Sequence, residues 1–289
     1  MAISNFVPEV WSAALLKNLR SNLVYGQAGV INRNYEGDIA RAGDTVHITS
    51  FTDPAVRSYT KNTDISYDLL TDATQALTID QQKYFGFSVD DIDKRQALPG
   101  FVDETTMGAS YNLSAAADTF LAGLMNAATP AGNTLTAVTT PTAANAYTTL
   151  VGLRTALTKT NTPTQGRWVI VPPEFYGLLL QDDRFVRYDA SNSSEGLRNG
   201  ITGRAAGFDV IESNTVPFTG DVFSVIAGHP MATTYAEQII EVETLRLQKQ
   251  FGDAVRGLHV YGGKVVRANQ LAKVAVTFDG AGSSSSSSS

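Results

Sequence analysis

Three histidines, His47, His229 and His259, are the side chains in this 289-residue chain best suited to proton transfer or metal ligation near neutral pH. None has a second His, a Cys or a carboxylate at the spacing of a metal-ligand set. All three are expected to be structural. The chain has no cysteine, which excludes disulfides, thiolate metal sites and cysteine nucleophiles together. Asp90, Asp91 and Asp93 form an acidic cluster, yet they lack the spacing and the closing Glu of a calcium loop. They read as a solvated helix entry. Asp182 and Asp183 beside Arg184 and Arg187 read as a charge network at a helix end. Gly200-Ile201-Thr202-Gly203 and Gly262-Gly263-Lys264 lack the flanking strand and helix of a phosphate loop and read as turns. No G-x-S-x-G elbow or dinucleotide fingerprint occurs. No catalytic, cofactor-binding or metal residue is assigned, and no enzymatic activity is expected.

The elements that position these residues belong to a sizeable folded body. With 43% hydrophobic and 17% charged residues, the chain has enough apolar material for a large core in one or two domains. Its formal net charge is -6 and it contains no Lys/Arg run, so a surface that grips nucleic acid is not expected. An acidic wall can still enclose DNA without binding it. No basic-then-apolar signal segment opens the sequence. No apolar run approaches the roughly 18 residues of a membrane span, so no membrane partner is expected.

The stretch from Pro99 to Ala128 predicts one long helix, roughly 40 Å at 1.5 Å per residue. Val102, Thr106, Ala109, Leu113, Ala117, Phe120 and Leu124 recur at spacings of three and four and define its apolar stripe. Pro99-Gly100 precedes it, Asp103 and Glu104 suit its positive end, and Thr129-Pro130 stops it. Gly108 and Gly123 each cost about 1 kcal/mol of helix propensity, for which a close backbone approach is the expected compensation.

Before this helix, Pro8 to Val24 predicts an amphipathic helix with Trp11, Leu15, Leu19 and Leu23 on one face, and residues 25–43 an extended arm. Period-two alternation begins at Asp44, continues to Tyr59, turns near Lys61 to Asp64 and returns along Gln75 to Asp90. The returning limb carries Gln81-Gln82-Lys83 in its middle, too polar for a buried strand. It predicts a projecting two-stranded hairpin that needs something to lie against. After the long helix, residues 129–145 read as loop, 146–158 as a helix, and Arg167 to Val171 as a strand. A helix opens at Pro173 and runs into Phe185. A polar loop fills 191–207, strands occupy 208–211 and 222–227, and 238–243 with 245–249 are strand-like. Phe251 to Leu258 reads as a short helix or turn, and strands at 264–268 and 271–278 precede a flexible serine tail, 281–289.

In this order the elements resemble a tailed-bacteriophage major capsid (coat) protein, a fold shared with encapsulin nanocompartments. The arm at Leu23 to Tyr35, the hairpin opening Gly43-Asp44-Thr45-Val46-His47-Ile48, and the limb Ile79 to Ile92 carry the resemblance. So does Trp168-Val169-Ile170-Val171-Pro172-Pro173-Glu174, similar to the strand-to-helix step of the family's axial domain. The resemblance implies an α+β class. Its parts would be an N-terminal helix and arm (1–43), an extended β-hairpin loop or E-loop (44–98), and a spine helix of the peripheral domain with its following loop (99–144). An axial α/β domain (145–230), return strands of the peripheral domain with the β-hinge (231–280), and a disordered serine tail (281–289) would complete it.

Functionally, the resemblance implies a structural protein that self-assembles into pentamers and hexamers of an icosahedral phage head enclosing double-stranded DNA. Contacts between subunits would run through Trp11, Leu15 and Leu19 of the arm. Arg57, Lys61, Asp64, Gln81 and Lys83 of the hairpin, and Asp189, Ser191 and Arg198 of the axial loop, would make the others. The resemblance also implies no cofactor, a virion location after assembly in the host bacterial cytoplasm, a portal, and a separate scaffolding protein. Some relatives crosslink through a loop Lys; Lys61 and Lys83 lie there, but no partner is identifiable and no crosslink is assigned. Two alternatives stay open: an encapsulin-like nanocompartment shell, and a monomeric α+β binding protein or hydrolase with a concave polar pocket.

Overall fold

The computed structural model describes residues 23–34, 45–51, 57–59, 61–62, 64, 72–90, 101–182, 203–246 and 252–278. The sequence-predicted helix at 8–24 therefore lies almost wholly outside the described residues, as do the acidic residues 91 and 93 and the serine tail.

The predicted long helix is present as α1, Phe101–Ala128. Its buried side is turned slightly from the expected stripe. Leu113 and Ala117 are buried as predicted, while Ala109, Phe120 and Leu124 lie at the margin. Ser110, Ser114, Asp118, Leu121, Ala122 and Met125 complete the buried face. Gly108 and Gly123 do not admit neighbouring backbone; a Cβ at either would meet nothing within 4 Å. The expected compensation for these glycines is thus absent among the described residues.

Two sheets flank α1. The smaller has strand order β10 (Thr233–Arg246), β11 (Gly252–Val265) and β3 (Gln81–Asp90), all antiparallel. The larger, seven-stranded sheet has the order β4 (Thr134–Thr139), β12 (Leu271–Thr277), β9 (Val222–Gly228), β5 (Trp168–Val171), β7 (Phe208–Glu212) and β6 (Arg204–Ala205). In it β8 (Phe218–Thr219) pairs with β9. The β5 strand is buried throughout because both faces of the sheet are covered. Val169 and Val171 pack under α2 (Ala143–Lys159) and α3 (Pro173–Leu180), with Leu150, Leu153, Leu157, Phe175 and Leu179. Trp168 and Ile170 face the opposite core. That core also takes Leu121 and Met125 of α1 together with Tyr235 and Tyr261 of the smaller sheet. The long helix therefore joins the two sheets through one shared apolar core, which is what a spine requires.

Several expectations are corrected. The returning limb 75–90 is two strands: β2 (Asp72–Thr78) pairs with β1 (Thr45–Phe51), whereas β3 leaves it after Ile79-Asp80 and pairs with β11. Its polar centre is tolerated because β3 is an edge strand; Gln82, Lys83 and Tyr84 are exposed. Residues 57–59 are irregular rather than strand. The loop read at 129–145 contains β4, whose Leu135 and Val138 pack against the α2 core while its threonines face water. Its two inward residues are three apart, across a register irregularity against β12, so no period-two signal marks the strand. Residue 251 lies outside the described residues, and from Gly252 on the segment read as a short helix or turn at 251–258 is part of the long β11. Its glycines sit at close approaches, with Phe85 over Gly257 and the Thr78–Ile79 corner against Gly262. The third helix ends at Leu180, and the polar loop 191–207 closes in the short hairpin from β6 into β7.

Candidate functional site

The β1–β2 ribbon is held at its base rather than standing free. Ile48, Leu77 and Ile79 bury against Ala236 and Val260 on one face of the three-stranded sheet. Beyond this base the connection between Phe51 and Asp72 carries Arg57, Ser58, Tyr59, Lys61, Asn62 and Asp64, all exposed. Lys61-Asn62 is a turn in which Asn62 takes φ 66°, a conformation that Asn accepts more readily than most residues. The structure thus groups Arg57, Lys61 and Asp64 on one tip. Gln81 and Lys83 belong to the separate edge strand β3; Gln81 is half-buried and donates to Asp80 Oδ1 at 3.2 Å. Trp11, Leu15, Leu19, Asp189, Ser191 and Arg198 lie outside the described residues.

The arm is where the structure places its strongest electrostatics, and sequence reasoning missed it. Segment 23–34 is not extended. It folds into turns on the other face of the three-stranded sheet, burying Leu23, Tyr25, Val30 and Ile31. Asp118, midway along α1, accepts three backbone amides from it: Val24 N at 2.7 Å, Tyr25 N at 2.9 Å and Gly26 N at 3.1 Å. Further along, Asn32 bridges to β10, donating to Thr233 O and accepting from Tyr235 N. Arg33 then ion-pairs with the buried Glu237, donates to Gly26 O at 3.0 Å and lies over the Tyr235 ring at 5.4 Å. Glu237 also accepts from Tyr235 Oη at 2.8 Å and contacts His259 Nε2 at 3.4 Å.

These surroundings move the two carboxyls in opposite directions. Burial is the largest influence on Asp118 and outweighs its three amide bonds; with the Glu237 charge nearby, its pKa is pushed up to about 6. Burial acts the same way on Glu237, but the contacts from His259, Arg33 and Tyr235 overcome it and hold the carboxyl below its ordinary range. The signal in the sequence was an acidic residue inside each apolar pattern, Asp118 between Ala117 and Leu121, and Glu237 after Tyr235-Ala236. The partners, however, are remote in sequence.

Nothing else among the described residues gathers chemistry. No three His, Asp or Glu side chains converge as metal ligands there. A shallow open pocket beside Arg267, lined also by Thr160, Asn269 and Gln270, contains no acid–base pair. His259 is buried, and His229 Nδ1 accepts from Met231 N at the start of a 3-10 turn. The described residues thus form two sheets on a long helix, an exposed connection between β1 and β2, and an arm fastened to the core.

Known capsid chains share this fold. A family model described as phage capsid protein matches residues 71–274. A solved chain from Mycobacterium phage Che8 is 33% identical, with 98% of this chain and 100% of that one covered, at a TM-score of 0.71. The capsid structure of Cyanophage P-SCSP1u shares 13% identity over 89% and 88% of the two chains, at a TM-score of 0.70. A virus-like particle from Pyrococcus furiosus, 12% identical over 92% and 98%, shares the fold at a TM-score of 0.53. No curated protein matches the chain. The chain belongs to the phage capsid protein family and is a structural capsid protein of a phage head.

Proposed function

We propose that this protein is the repeating subunit of an icosahedral head, forming pentamers and hexamers around double-stranded DNA without catalysing a reaction. The observation that carries the reading is the run of exposed residues 57–59, 61, 62 and 64, borne on a ribbon whose base is locked into the body. Repeated by symmetry, such residues would yield many contacts of modest size. Arg57, Lys61 and Asp64 at the tip, and Gln81 and Lys83 on the edge strand β3, are proposed to meet neighbouring subunits. Trp11, Leu15 and Leu19, and Asp189, Ser191 and Arg198, are proposed to do so at the arm and the axial loop.

The proposed organisation keeps the arm at 1–43, the E-loop at 44–98, the spine at 99–144, the axial domain at 145–230, the return strands at 231–280 and the tail at 281–289. The sheet that forms the axial domain also recruits β4 and β12 from outside 145–230. A separate scaffolding protein, a portal, and assembly in the host bacterial cytoplasm belong to the same proposal. The net charge of -6 supports a wall that encloses DNA without sequence-specific binding. Membership of the phage capsid family favours this over a nanocompartment shell. Light scattering of the purified protein, followed by negative-stain microscopy, tests it. Closed shells or five- and six-membered rings are expected. A monodisperse species near 30.9 kDa that stays unassembled even with a scaffolding partner overturns it.

A further inference from the structure

We propose that Asp118 and Glu237 form a two-point latch on segment 23–34, which holds the arm's exit most tightly in mildly acidic solution and loosens, without letting go, as the solution turns neutral to alkaline. The latch itself is a property of the subunit; only its consequence, control over where the chain before Leu23 is directed, rests on the capsid reading.

The geometry divides the labour. The Glu237 point is an ion pair: Arg33 answers its charge, Tyr235 and His259 surround it, and its surroundings favour the ionised form. It therefore keeps its strength as the solution becomes less acidic. Among the described residues no cation answers the Asp118 charge. Its partners are three neutral amides, the Tyr25 hydroxyl from the arm stays uncharged, and the Glu237 carboxylate from β10 opposes a second negative charge beside burial itself. From β11 the nearby groups are His259 and Tyr261, which lie against Glu237 and Tyr235 rather than against Asp118.

With the arm closed, Asp118 titrates near 6; released into water it returns to its ordinary 3.8. A proton is thus held more tightly by the closed form. Closure is favoured below the higher value and weakens as pH rises through it. Between pH 5 and pH 8 these two values change the closed-to-open ratio about tenfold.

Hydrogen exchange of the unassembled full-length subunit tests this at the amides of Val24, Tyr25 and Gly26, after correction for the intrinsic pH dependence of exchange. Their protection should fall about tenfold from pH 5 to pH 8. The Thr129 amide, bonded to Met125 O at the end of α1, should not follow. Asp118→Asn should flatten the dependence. Should that variant fail to fold, Arg33→Gln should lower protection of the three amides at every pH while retaining the tenfold change. Protection that does not vary with pH, a slope shared by Thr129, or an unchanged slope in Asp118→Asn overturns the latch. A subunit that never assembles would sink the capsid reading and leave this exchange result standing. Normal shells with flat exchange would do the reverse.

Discussion

Arg33 and Glu237 are 204 residues apart in sequence and form an ion pair inside the subunit, with the Glu237 side chain fully buried. The pair ties the arm to the middle of β10, and it sits beside a second tie, Asp118, on the spine helix. A surface arm does not need such a bond. A buried charge costs several kcal/mol to desolvate and is tolerated only with good partners. Its presence therefore means that the position of segment 23–34 is specified as part of the core.

Removing one partner should be worse than removing both. Arg33→Met leaves the Glu237 carboxylate buried with only Tyr235 and His259, and the expected loss is about 3 kcal/mol in urea denaturation of the unassembled subunit. Arg33→Met with Glu237→Met should recover part of that loss, because no charge is left buried. A double variant as unstable as the sum of the two singles would show that the pair is not coupled.

The two carboxyls give the subunit opposite pH slopes. The Asp118 pKa is raised, so the folded state binds its proton more tightly than the unfolded chain does. Stability from this group is fully present below pH of about 4 and is lost as pH rises through about 6, in total about 3 kcal/mol. Glu237 is lowered, so its contribution is present above its ordinary value and is lost as pH falls through its folded-state value. Urea midpoints at pH 4.5 and pH 7 should therefore move in Asp118→Asn relative to wild type, with the variant losing less on going to pH 7. An identical difference in both proteins would show that Asp118 is not the group responsible.

Glycine positions separate tight from open sites. A Cβ on Gly262 would meet Thr78 O and come within 2.9 Å of Ile79 Cα, both backbone, so Gly262→Ala must displace the Thr78–Ile79 corner. The expected cost is about 3 kcal/mol. Gly123→Ala adds a methyl to open space in an α-helix and should stabilise the subunit by about 1 kcal/mol. Thermal melts of both variants check this, and a neutral Gly262→Ala would mean the corner relaxes freely.

Much of this architecture is legible in the chain itself, and the exceptions share a cause. The spine helix can be read because a 28-residue helix repeats its signal many times, and even a shifted stripe remains a helix. The β5-to-α3 step can be read because Trp168 to Val171 is uniformly apolar and Pro172-Pro173 punctuates it. Edge strands cannot: β3 and β4 bury only one side, so β3 carries Gln81-Gln82-Lys83 and β4 places a Thr at every second or third position. Gly257 in β11 looks like a turn because the ring that needs its missing Cβ, Phe85, lies in another strand. Asp118 and Glu237 are illegible for the same reason in stronger form. Their meaning resides in amides 92 to 94 residues away and in an arginine 204 residues away.

The exposed tip should behave as a part of the assembly and not of the subunit. Lys61 and Asp64 are solvent-exposed, so Lys61→Glu and Asp64→Lys should each leave subunit stability within about 0.5 kcal/mol of wild type. If the tip lies on a neighbour, the same reversals place like charges at a contact repeated around every ring, and each copy adds its penalty. Shell yield should then fall several-fold, and the deficit should shrink as salt is raised and the exposed charges are screened. Sedimentation of assembly mixtures at low and high salt measures both effects. Full yield of normal-sized shells from both reversed variants would place the neighbouring subunit elsewhere, and the proposed contact would have to move to the edge strand β3 with Gln81 and Lys83.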